Sequence, residues 1–134
     1  NLAVLEEASA VLADPCETGG RWDACLARSR LFLARHRACQ AAECSKPGTL
    51  SEAILYMQLG LNQLKTIEDP STRRTAGNRV VFQAVRIAGT DWQRLKTEAP
   101  KLADPAQRLC NKPAFKDQPD CSEAGRNATP AAAP

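Results

Sequence analysis

Residues 21–42 read RWDACLARSRLFLARHRACQAA, and this stretch decides the fold class. At helical spacing one stripe collects Trp22, Cys25, Leu26, Ser29, Phe32, Leu33, His36 and Cys39. The opposite side collects Ala24, Ala27, Leu31, Ala34, Ala38 and Ala41. A helix apolar on both sides is a central one, packed by neighbours on each face. Its alanines let another helix approach closely. Arginines edge the stripe in two rows: Arg21, Arg28 and Arg35 on one side, Arg30 and Arg37 on the other. Their aliphatic stems are expected to cover neighbouring surface while the guanidinium heads reach water or carboxylates.

The flanking segments are helical too. Leu2, Leu5, Ala8 and Leu12 recur at helical spacing up to Asp14-Pro15, which is expected to stop the first helix. Cys16 then falls in a loop that turns through Gly19-Gly20. Beyond the central helix, Thr49-Leu50-Ser51-Glu52 has the form of a capping box. It opens a helix with Ile54, Met57, Leu61, Leu64 and Ile67 on one stripe, and Gly60 in its middle predicts a close helix crossing. Asp69-Pro70 ends that helix and caps the next. Residues 80–87, VVFQAVRI, are β-prone in composition, yet the spacing of Gly77, Val81, Ala84, Val85 and Ala88 favours helix. Gly89 is expected to break it, with Thr90-Asp91-Trp92-Gln93 capping a short helix. A last short helix is expected to start at Asp104-Pro105 and close near Cys110. The prediction is an all-α, disulfide-stapled bundle of about four main helices plus short C-terminal helices. Residues 1–121 form one domain, and 122–134, Ala/Pro-rich with no apolar side chain larger than Ala, form a flexible tail.

Six cysteines fall into three close pairs. Local pairing gives Cys16–Cys25, Cys39–Cys44 and Cys110–Cys121, each stapling a loop to a helix end. Cys25 and Cys39 cannot join on one straight helix, because fourteen residues span about 21 Å. Each closure of about ten residues is worth about 2–3 kcal/mol in the chain-entropy model. A zinc site would need a short hook and a second matching pair, which these spacings lack, so no metal and no other cofactor is expected. The pattern implies an oxidising compartment, periplasmic or extracellular. With no initiator Met and no basic or apolar leader, a signal peptide is expected to have been removed. The Ala- and Arg-rich composition suggests a bacterial source, and no apolar run approaches a membrane span.

The chain has a formal net charge of +3, unevenly placed. Between residues 70 and 101 stand Arg73, Arg74, Arg79, Arg86, Arg94, Lys96 and Lys101 against Asp91 and Glu98 alone. Such a stretch suits an acidic partner. The aromatics are not interleaved with bases as stacking on nucleic acid requires, so nucleic acid is not expected. No nucleophile elbow, phosphate-cradling glycine loop, HExxH or calcium-loop pattern occurs. His36, the single histidine, lies in the central apolar stripe and Met57 on another, both expected as packing residues. The cysteine spacings also fail those of insect odorant-binding proteins, saposin-like modules and plant lipid-transfer proteins.

These features point away from an enzyme. They point toward an exported protein-binding module, such as an accessory subunit of an envelope or secretion assembly, or an inhibitor or immunity-type protein. Its partner is expected to be another protein, acidic at the contact, with Arg28, Arg35, Arg79 and Arg86 as candidate contacts. The alternative is a helical carrier holding a small apolar ligand or lipid near Phe32, Ile54 and Met57.

Overall fold

The computed structural model describes residues 2–42 and 49–122. Its elements are α1 (Leu2–Val11), α2 (Ala13–Glu17), α3 (Trp22–Ala42), α4 (Thr49–Gln63) continued by a 3-10 turn (Leu64–Thr66), α5 (Pro70–Glu98), α6 (Pro100–Cys110) and a 3-10 turn (Pro119–Cys121). The described residues are all-α and contain no strand. They divide into two compact units, Asn1–Val80 and Val81–Pro134, so the division falls within α5. No helix among them is long and apolar enough to cross a membrane.

In the first unit α3 is central, packing against α4, α1 and α2. Its predicted stripe is the buried one: Cys25, Leu26, Ser29, Phe32 and Leu33 are all inside. Across it, Leu50, Ala53, Ile54, Met57 and Gly60 form the inner face of α4. Gly60 is the predicted close crossing, since a β-carbon there would lie 3.3 Å from the Trp22 carbonyl oxygen and 3.6 Å from Cys25 Cβ. Beside it the buried Ser29 hydroxyl donates to the Ala53 carbonyl oxygen at 2.6 Å.

Cys16–Cys25 and Cys110–Cys121 are both disulfide-bonded, with all four cysteines fully buried. Cys44 lies outside the described residues, and so does the predicted Cys39–Cys44 pair, as does the tail from residue 123 onward.

Four local expectations are corrected. Asp14-Pro15 does not stop the chain's helical course. The break comes at Leu12, and Cys16 sits in α2 rather than in a loop. Pro15 is tolerated because it occupies the first turn, where backbone N–H groups have no intrahelical acceptor. Thr49, the first residue of α4, makes no capping bond: its hydroxyl is buried with no hydrogen-bond partner among the described residues.

Gly89 does not end α5. The bend is at Asp91 (φ −156°, ψ 93°), whose extended backbone and carboxylate, accepting from the Arg94 N–H at 3.1 Å, make it the cap. Thr90 instead donates its hydroxyl back to the Arg86 carbonyl at 3.4 Å. The last helix starts at Pro100, not Asp104, and runs through Pro105. Starting there puts Leu102, Ala103, Ala106 and Cys110 on one buried face, and that burial offsets the hydrogen bond Pro105 cannot make.

Other local readings hold. Residues 80–87 are helical. Asp69 caps α5 as predicted, its Oδ2 accepting the Thr72 N–H at 3.0 Å and the Thr72 hydroxyl at 2.5 Å, with Pro70 in the first position.

Candidate functional site

The densest constellation of charged and aromatic groups sits on α3 in the first unit. Phe32 and Tyr56 stack with ring centroids 5.4 Å apart and planes 7° from parallel. The Arg28 guanidinium carbon lies 4.1 Å from the Tyr56 centroid and 5.3 Å from that of Phe32, and Arg35 lies 5.2 Å from Phe32. Arg28 Nε donates to the Ser9 carbonyl at 3.0 Å and Nη1 to Glu17 Oε1 at 3.3 Å. Arg35 Nη2 donates to Glu6 Oε1 at 3.2 Å, while its Nε is buried without a partner. The Tyr56 hydroxyl donates to Glu17 Oε1 at 2.7 Å. Burial first, and then that bond to a carboxylate, raise the Tyr56 pKa above its ordinary value of 10.

Spacing explains the arrangement. Arg28, Phe32 and Arg35 are successive members of one helical ridge, so two guanidiniums bracket one ring. The ridge floors an open cleft of about 390 Å³. Glu6, Ser9 and Ala10 of α1 form one wall, and Glu52 of α4 stands on the other. Two arginines and two glutamates line it, so the cleft carries no net charge. Only 13% of each of the Arg28 and Arg35 side chains is exposed. Their heads face carboxylates of α1 and α2, and the ridge ties those two helices onto α3.

The other candidate residues are spread through the chain. Arg79 is exposed on α5. Arg86 is half-buried, its Nη1 3.5 Å from the Oε1 of the fully buried Gln83. Ile54 and Met57 are packed in the core at 1% and 0% exposure, whereas Phe32 reaches the floor of the cleft. His36 is half-buried on α3. Among the described residues no group of three or more His, Cys, Asp or Glu side chains is placed to hold a metal ion.

Two surfaces remain. In the first unit the start of α5 is exposed at nearly every position, with only Ala76 and Val80 buried before the unit ends. Arg73, Arg74 and Arg79 stand there exposed, in no ion pair among the described residues. In the second unit Phe82, 39% exposed, meets Phe115 with centroids 5.8 Å apart at 48°. Sequence reasoning missed this pair, because 33 positions separate the rings and no periodicity links a helix to a later loop. In comparisons with known proteins, no family model matches the chain, and neither does any curated sequence or solved structure.

Proposed function

We propose that this chain is an exported protein-binding module, an accessory subunit of an envelope or secretion assembly or an inhibitor-type protein, whose partner is acidic at the contact. The observation that carries the reading is the start of α5: Arg73, Arg74 and Arg79 stand exposed on a firmly capped helix and in no ion pair among the described residues, the cap carboxylate Asp69 being the acid that feels the charge of Arg73. Arginines within a fold usually find carboxylates, as Arg28 and Arg35 do. Three exposed arginines outside any ion pair on one short segment raise the local potential and favour encounter with an opposite charge. The segment offers no exposed large apolar side chain, so its contribution is steering and hydrogen bonding. The two buried disulfides are compatible with an oxidising compartment.

The test is native mass spectrometry of the protein recovered from its own compartment without reductant, beside an R73E/R74E/R79E variant. A stoichiometric protein partner that is lost in the variant and in high salt is the expected result. A bare monomer, or a partner retained unchanged by the variant, overturns the reading.

A further inference from the structure

α1 packs against α3 and α2, and the side it turns away from them carries Val4 and Val11. At 59% and 75% exposed, these are the two most exposed large apolar side chains among the described residues. Glu7 and Asp14, both exposed, alternate with them: the order Val4, Glu7, Val11, Asp14 has spacings of three, four and three. In a helix that spacing sets the four side chains in one ridge. The ridge carries through the break at Leu12, whose backbone stays right-handed helical (φ −84°, ψ −5°) and whose carbonyl accepts from the Cys16 N–H at 3.1 Å. Residues 2–17 contain Glu6, Glu7, Asp14 and Glu17 and no Lys, Arg or His. Arg28 and Arg35 of α3 reach these helices, and they pair with Glu17 and Glu6. Glu7 and Asp14 are left in no ion pair among the described residues, so the ridge is apolar and acidic with no base of its own.

We propose that this α1–α2 ridge docks a basic amphipathic helix of a partner protein, with apolar side chains over Val4 and Val11 and Lys or Arg heads on Glu7 and Asp14. It is a second surface, on other helices than the basic start of α5 and of opposite sign, and it goes beyond the reading drawn from those arginines. The occupant follows from what the ridge lacks. Two valines about two turns apart need an apolar cover, and covering them brings the two carboxylates into the contact. Each carboxylate must then meet a base, because a charge left unpaired as water is removed is costly. A second copy of the same ridge supplies none. Paired in parallel it sets Glu7 on Glu7 and Asp14 on Asp14, and paired antiparallel it sets both acids on valines.

The experiment titrates the full ¹⁵N-labelled chain with a three-heptad helical peptide that carries Leu and Lys alternately at spacings of three and four, and with a control in which Glu replaces Lys. Expected are amide shifts from the Lys peptide centred on residues 3–17, and none there from the Glu control. Affinity for the Lys peptide should fall at least about tenfold in E7K/D14K and in V4S/V11S. E7K/D14K should in turn bind the Glu control at the same residues. All four side chains are exposed, and a native-like spectrum of each variant confirms its fold. R73E/R74E/R79E should bind the Lys peptide as the parent does, so failure of the α5 contact and failure of this ridge are read on different variants. No shift in residues 3–17, equal affinity in E7K/D14K, or loss of the Lys peptide in R73E/R74E/R79E overturns the proposal. So does self-association of the free chain that E7K/D14K or V4S/V11S abolishes, which would assign the ridge to a second copy.

Discussion

Gly89 of α5 lies directly beneath Asp120: a β-carbon at Gly89 would stand 2.6 Å from the Asp120 Cα, closer than such atoms approach. The contact is with backbone, in a turn fixed one residue later by the Cys110–Cys121 disulfide, so neither side can yield cheaply.

Two effects therefore oppose each other in Gly89→Ala. Helix propensity alone predicts a gain of up to about 1 kcal/mol. Overpacking against a clamped backbone predicts a loss of about 1–3 kcal/mol. The second should win, with the urea midpoint falling and amide exchange rising in 111–121. A midpoint equal to or above the parent's would show that the turn moves freely over α5.

Arg28 joins three elements to α3 through one planar head: α1 through Ser9, α2 through Glu17 and α4 through the Tyr56 ring. Glu17 is half exposed, so the ion pair itself contributes little. The shielded bond to the Ser9 carbonyl and the ring contact matter more. Arg28→Lys keeps the charge but cannot reproduce the fork or the stacking, and should cost about 1–2 kcal/mol in chemical denaturation. The α1 amides should lose exchange protection first. Full stability in Arg28→Lys would reduce Arg28 to a point charge.

Asp69 gives a pH signature. Its bonds from the Thr72 hydroxyl and Thr72 N–H hold its carboxyl below the ordinary 3.8. A carboxylate with a depressed folded pKa adds stability that is fully present above 3.8 and lost as pH falls through the lower folded value. Asp69→Asn keeps an acceptor oxygen without the titration. The stability difference between parent and variant should stay constant from neutrality down to the ordinary carboxylate range and shrink below it. A difference that grows on acidification would contradict the sign.

The features legible in advance are those that a few neighbouring residues encode. Asp69-Pro70 caps α5 because cap, proline and Thr72 fall within one turn. Cys16–Cys25 and Cys110–Cys121 pair because short loops bring their ends together. Misreadings arose where two local signals competed. Thr90 and Asp91 are equally good caps by type, and Asp91 takes the role while Gly89 stays helical over Asp120. Asp104-Pro105 has the form of a helix start, but the chain begins one turn earlier to bury Leu102 and Ala103.

By itself, then, the sequence determined the helical class, the central place of α3, the cap at Asp69 and the pairing of Cys16 with Cys25 and of Cys110 with Cys121, because each depends on spacing along the chain. Tertiary structure alone decided that Arg28 and Arg35 spend their charge on Glu17 and Glu6, that Phe82 finds Phe115, and that Gly89 admits Asp120. These pairings join residues 29, 33 and 31 positions apart in Arg35–Glu6, Phe82–Phe115 and Gly89–Asp120. Whether an arginine is a tie or a free contact depends on what packing brings to its head, which no periodicity along the chain records.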